Sequence, residues 1–239
     1  MQRLYWAEYT YPEIEELLKR ERLIILPLGS VEAHGYHLPL NTDMLQPLWL
    51  AEEIAKRLDA LILPPIHYGW TDNLASFPGT ISIGFDTLRN LVQDILKSVI
   101  NQGGKNILVL SGHASTNHMA ALRLACESAA RQNLDARVML LSDYYIAYKY
   151  RGELVPEDDG HAGVIETSRI MAIRPDLVQN KYRFERRESG KYMIIVDYKE
   201  IVPYATFSNP EGASRALGEK LNNLILEELI KIIKENFGI

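Results

Sequence analysis

The sequence predicts an α/β fold: a three-layer α/β/α sandwich around a mostly parallel central sheet, in a single domain. Three observations predict it. Short apolar runs alternate along the chain with helical patterns. Each run is continuous rather than alternating, as expected for strands buried on both faces of a parallel sheet. The chain has 239 residues, 47% hydrophobic and 24% charged, enough for one sizeable α/β core over residues 1–239.

The first strand is expected at Leu23–Leu28 (LIILPL), the second at 61–66 (LILPPI), the third at 106–110 (NILVL) and the fourth at 137–141 (RVMLL). Between the first two, Leu50, Ile54 and Leu58 share one helical face over 46–58. Residues 86–101 follow, with Leu88, Leu91, Val92, Ile95, Leu96 and Val99 in helical register and Asp86 placed to cap them. A third, alanine-rich helix spans 116–132 with Ser115 or Thr116 as its cap. The β-α-β-α order argues for an open, mostly parallel sheet. Residues 210–237 read as a closing amphipathic helix over one sheet face. Within 179–209, residues 193–196 (MIIV) form a further possible strand before a turn-rich stretch. No internal repeat, low-complexity tract or interdomain linker is evident.

A formal charge of −5 gives no electrostatic reason to expect nucleic acid or an anionic membrane as partner. Cys126 is the single cysteine, so an intrachain disulfide and a Cys-based zinc site are excluded. That fits a reducing cytoplasm. No stretch approaches the roughly 20 apolar residues of a membrane span, and the first twenty residues carry acids and aromatics where a signal peptide needs an apolar run.

Ligand sites of open α/β sheets lie beyond the carboxyl ends of the strands. Three polar clusters follow that rule: GSVEAHGYHLPLNTD (29–43), SGHASTNH (111–118) and DDGHAGVIETS (158–168). They hold five of the six histidines, and His67 follows the second strand. Glu32 and His34 alternate, so an extended segment points both to one side. Gly35 permits a turn and Pro39 keeps the returning chain extended, so Asp43 can come back beside them. Glutamate, histidine and aspartate suit a divalent cation such as Zn²⁺ or Mn²⁺, and an aspartate can bridge two. His113, after the small Gly112, is placed to join from a neighbouring loop.

Each residue also has a structural alternative. Asp43 could cap the helix beginning near Gln46. Ser115 and Thr116 read as caps rather than nucleophiles, and His118 is expected on the first helical turn, outside the site. His37 is a supporting group or exposed. His67, Tyr68 and Trp70 line a pocket or pack the sheet edge, and His161 could cap a helix that starts near Gly163. Tyr144, Tyr145, Tyr148 and Tyr150 either roof the pocket or form a subunit interface. No G-x-S-x-G elbow, P-loop or G-x-G-x-x-G turn occurs, so those chemistries are set aside.

With these motifs in view, the sequence resembles the creatininase (creatinine amidohydrolase) family. LPLGSVEAHGYHLPLNTD, FPGTISI (77–83), LVLSGHASTNHMAAL, GHAGVIETS and SNPEGASRALGEKL (208–221) carry the resemblance, in order, from about residue 5 to 230. It implies a layered α/β/α amidohydrolase with two divalent metal ions, zinc first and manganese or iron after it, acting on a small-molecule substrate as a homo-oligomer, a hexamer. Glu32 and His113 would serve the first metal, His34 the second, and Asp43 would bridge them. His161 would shuttle protons, and Glu166 falls on a family acid. Three departures stand out. Ser115 replaces a glutamate ligand, so Glu166 is expected to substitute for it. Ala114 replaces a substrate-side tyrosine, and PEDD (156–159) stands where creatininase offers a tryptophan.

The resulting expectation is hydrolysis of a non-peptide C–N bond, an amide or cyclic amide, by a metal-bound hydroxide, with His161 protonating the leaving nitrogen. The alternatives are a formamide deformylase of a pyrimidine intermediate in flavin or deazaflavin synthesis, cleavage of a modified peptide, and a non-catalytic metal-binding relative.

Overall fold

The computed structural model describes residues 3–239. Four parallel strands, β1 (Leu23–Leu28), β2 (Leu61–Ile62), β3 (Asn106–Ser111) and β4 (Arg137–Ser142), form one sheet in the order β2-β1-β3-β4. The helices are α1 (Tyr11–Leu18), α2 (Thr42–Leu58), α3 (Phe85–Asn101), α4 (Thr116–Ala130), the short α5 (Tyr144–Ala147), α6 (Val164–Ile173) and α7 (Arg215–Phe237).

The apolar runs are continuous because successive side chains enter different cores. Leu23 and Ile25 of β1 and Leu108 and Leu110 of β3 pack with α2 and α7. Ile24, Leu26 and Leu28, with Ile107 and Val109, pack with α3 and α4. Side chains on either face of β1 and β3 therefore have an apolar layer to enter. The chain steps from β1 to β2 on one side, then crosses back to β3 on the other. That reversal opens a crevice beyond the ends of β1 and β3.

Several elements differ from the sequence reading. The β2 ladder covers two residues, because Pro64 and Pro65 have no N–H to give it. Contact with β1 resumes at Ile66, whose N–H donates to the Pro27 carbonyl at 3.0 Å. Residues 193–196 are not a strand. No neighbour offers them an edge, and Met193, Ile194 and Val196 stand 66%, 86% and 83% exposed. Gly84, not Asp86, holds the cap position of α3, and Asp86 lies in its first turn, 3.1 Å from Arg89. Ser115 occupies the cap position of α4 without a capping bond. The closing helix begins at Arg215 rather than 210, where the Ser214 hydroxyl oxygen accepts from the Leu217 N–H at 3.2 Å.

Candidate metal centre

The loops after β1 and β3 and the start of α6 bring Glu32, His34, Asp43, His113, His161 and Glu166 into one cluster. Ligand atoms in each of three sets lie within 4.8 Å of one another: Glu32, Asp43 and His113; His34, Asp43 and Glu166; Glu32, His34 and His161. Asp43 is no helix cap. α2 starts four residues earlier than its apolar face suggests, and Asp43 sits buried in the first turn. Pro47 has no N–H for the Asp43 carbonyl. Gly29 and Gly112 bring the ends of β1 and β3 against that same carbonyl, since an added Cβ would lie 2.6 and 2.1 Å from it.

Each histidine commits one ring nitrogen to the backbone. His34 Nδ1 donates to the Glu32 carbonyl (3.0 Å), His113 Nε2 to the Trp70 carbonyl (3.1 Å) and His161 Nε2 to the Ala33 carbonyl (2.8 Å). This leaves the other nitrogen of each ring facing the carboxylates, the position a metal ligand needs. His34 Nε2 lies 3.0 Å from Asp43 Oδ1 and 3.5 Å from Glu166 Oε2. His113 Nδ1 lies 2.8 Å from Asp43 Oδ2 and 3.3 Å from Glu32 Oε1. His161 Nδ1 lies 3.5 Å from Glu32 Oε1.

The carboxylates are oriented in turn. Ser30 Oγ donates to Asp43 Oδ2 (2.6 Å), Thr71 Oγ1 donates to Glu32 Oε2, and the Tyr144 hydroxyl donates to Glu166 Oε1 (2.7 Å). Glu166 Oε2 also accepts the Ala162 N–H at 2.6 Å. Ala162 has φ +55°, a left-handed conformation that costs a non-glycine residue about 1–2 kcal/mol. Helix α6 is capped by Asp159, which accepts from the Val164 and Ile165 N–H groups at 2.6 and 3.2 Å. His161 is thereby left free of that task. Burial nevertheless pushes the Asp159 carboxyl up to about 6, against the pull of those two donors.

Among the described residues no lysine or arginine pairs with Glu32, Asp43 or Glu166. Burial acts to lower His34, yet the Asp43 and Glu166 carboxylates raise it to about 10. The same contest, with Glu32 and Asp43, holds His113 well above the ordinary imidazole range. Asp43 is held well below the usual carboxylate range: burial acts to raise it, and the His34 and His113 imidazoles outweigh that. Three buried carboxylates and three inward-facing imidazole nitrogens form a donor set that calls for positive charge. Its N/O chemistry fits borderline divalent cations.

The sequence reading missed the role of His118. It is buried behind the site, 3.1 Å from Ser111 Oγ, accepts the Trp70 N–H at Nδ1 (3.3 Å), and lies edge-on to His113 at 4.8 Å. Burial holds it well below the ordinary imidazole range, so it stays neutral. Ser111 donates to the His113 carbonyl at 2.7 Å and is no nucleophile. His37 is buried on Thr167 Oγ1 at 2.9 Å, whereas His67 and Tyr68 face solvent. Ser30, Thr71 and the Trp70 backbone were not singled out as support for the cluster. Ser30 alone had a local signal, two residues before Glu32.

A cavity of about 320 Å³ opens on the cluster, with Tyr144, Tyr148 and Phe207 among its walls and Arg151 and Arg186 also lining it. Of the four aromatics in the 143–150 run, Tyr144 and Tyr148 line this cavity, while Tyr145 is 54% exposed.

The creatininase family, creatinine amidohydrolase, matches residues 7–233. The chain belongs to this family. It is 28% identical to the creatinine amidohydrolase of Pseudomonas putida over 98% of this chain and 97% of that protein. A crystal structure of creatininase superposes with a TM-score of 0.90 at 28% identity, covering 99% of each chain. A creatininase variant of Zn–Zn type does so at 0.88 and 27%, again over 99% of each. Where the family resemblance places a glutamate, Ser115 lies with its Oγ 3.4 Å from the Trp70 carbonyl. Glu166 instead brings an acid to His34.

Proposed function

We propose that this chain, residues 1–239 acting as one domain, is a metal-dependent amidohydrolase that cleaves an amide or cyclic amide C–N bond in a small molecule. The observation that carries this reading is the common posture of His34, His113 and His161: one nitrogen on a backbone carbonyl, the other on the shared carboxylates. Glu32, Asp43 and His113 would hold one divalent cation, and His34, Asp43 and Glu166 a second, with Asp43 common to both. Zinc is the first choice, manganese or iron the alternatives. Two such cations, when bound, polarise a carbonyl and lower the pKa of water.

The protein supplies the rest. The cavity of about 320 Å³ lies at the small end of ligand pockets and suits a compact substrate rather than a long peptide. Tyr148 and Phe207 present apolar surface that excludes bulk water. His161 moves the proton: its Nε2–H stays on the Ala33 carbonyl, so exchange occurs at Nδ1. Nδ1 takes a proton during attack and returns it to the leaving nitrogen. Ser30 and Thr71 keep the Asp43 and Glu32 carboxylates aimed while this happens. The exposed Tyr192, Met193, Ile194 and Val196 support a homo-oligomer. A single, buried cysteine is suited to the cytoplasm, and among the described residues no helix is long and apolar enough to cross a membrane.

The test is metal content by elemental analysis of protein purified without chelators, followed by a panel of cyclic amides and formamides. Close to two metals per chain with turnover of an amide is the expected result. No metal above background in folded protein would favour the non-catalytic relative.

A further inference from the structure

Behind the carboxylates lies a buried polar lacing that the reaction scheme does not use. Helix α2 carries Asp43 and, three residues on, Gln46. Helix α6 carries Glu166 and, three residues on, Arg169. Residues at this spacing share a helix face, so each helix presents one acid to the cluster and one supporting group beside it. The two supports meet adjacent residues where β4 turns into α5: Gln46 meets Tyr144, and Arg169 meets Asp143. Gln46 Nε2 donates to the Tyr144 oxygen at 2.8 Å, and the Tyr144 hydroxyl donates to Glu166 Oε1 at 2.7 Å. Arg169 Nη2 lies 2.7 Å from Asp143 Oδ2, with both side chains fully buried, and Arg169 Nε donates to Asn222 Oδ1 of α7 at 2.8 Å.

The direction of the relay is fixed. Glu166 Oε1, a carboxylate oxygen, can only accept, so the Tyr144 proton points to it and the Gln46 amide presents nitrogen rather than oxygen to Tyr144, with Nε2 also 3.4 Å from the Thr42 carbonyl. With its oxygen already accepting, Tyr144 has one proton to give, and that proton goes to Glu166. Oε1 is thereby tied down, and Oε2, held from the other side by the Ala162 N–H, is the oxygen that faces His34. The Asp143–Arg169 pair keeps α6 at the distance this requires.

We propose that Tyr144 is a positioning residue, oriented by Gln46, that fixes the Glu166 carboxylate and so sets the affinity of the cation position formed by His34, Asp43 and Glu166. The position formed by Glu32, Asp43 and His113 does not depend on it. The inference rests on the metal-dependent reading given above.

The experiment is calorimetric titration of the metal-stripped full chain with Zn²⁺, for the parent, Tyr144→Phe, Gln46→Met and, as a control, Tyr145→Phe. Tyr144→Phe keeps the buried ring and removes only the donor. One of its two Zn²⁺ affinities should fall about 10–100-fold, the usual effect of losing a group that orients a metal ligand, while the other stays within about threefold. Gln46→Met should shift the same affinity in the same direction by less, and it carries the test if Tyr144→Phe fails to fold by circular dichroism. Tyr145→Phe should match the parent. Unchanged affinities in both Tyr144→Phe and Gln46→Met, or an equal loss at both positions, would overturn the positioning role and leave the hydrolase reading intact. A parent that binds no Zn²⁺ would overturn both, and shows itself before any variant is compared.

Discussion

Gly112→Ala tests how the site is held against the sheet. An alanine Cβ at this position would lie 2.1 Å from the Asp43 carbonyl oxygen and 2.4 Å from Pro47 Cδ. Contacts below 3.0 Å essentially never occur, so the first turn of α2 must retreat by about 0.9 Å. It has little slack, because Gly29 grips the same carbonyl from β1. Overpacking of this kind costs about 1–3 kcal/mol, which for a chain of this length lowers Tm by roughly 2–4 °C per kcal/mol. The Asp43 carboxylate moves with its backbone, away from His113 Nδ1 at 2.8 Å and Ser30 Oγ at 2.6 Å. A misplacement near 1 Å costs about 10²-fold in turnover. The assay is thermal unfolding with metal content and amide turnover, beside Gly84→Ala. There the added Cβ meets only Thr87 Oγ1 at 3.7 Å, and the loss should stay below about 1 kcal/mol. A Gly112→Ala protein with the parent's Tm, metal content and turnover would refute the close-approach argument.

Three further predictions follow from the same geometry. Asp43→Ala removes the ligand shared by both proposed positions, so elemental analysis should find less than one metal per chain; two would eliminate the bridging role. His161→Ala should keep both metals and lose about 10²–10⁴-fold in kcat, the usual share of general acid–base catalysis, and unchanged turnover would remove His161 from the mechanism. Burial lowers His37 from an ordinary value near 6.5 to about 4. The folded state therefore resists its protonation, and the associated stability is full above pH 6.5 and lost as pH falls through 4. That amounts to about 3 kcal/mol over the window. In His37→Gln, denaturant unfolding at pH 7 and pH 4 should differ by correspondingly less than in the parent; an equal difference would contradict the assignment.

The amino-acid sequence by itself determined β1, β3, β4 and the place of β2, because an apolar run without alternation is stable only between two helical layers, and Leu23–Leu28 declares this locally; it did not fix the length of β2 or exclude a strand at 193–196. The strand ends also marked Glu32, His34, Asp43 and His113 as candidates, where an open parallel sheet exposes its ligand site, and the family resemblance added His161 and Glu166. Tertiary structure alone decided how those residues are held. Thr71 reaches Glu32 across 39 positions, Tyr144 reaches Glu166 across 22, and the carbonyl that fixes His161 lies 128 positions away. Local periodicity records which face of an element is buried, not which distant element covers it, so Thr71 gives no signal, Tyr144 reads only as pocket roof or subunit interface, and His118 only as a first-turn residue outside the site. Only the order β2-β1-β3-β4, with its reversal between β1 and β3, brings them together. Burial there leaves each donor one place to go, and that shapes the site.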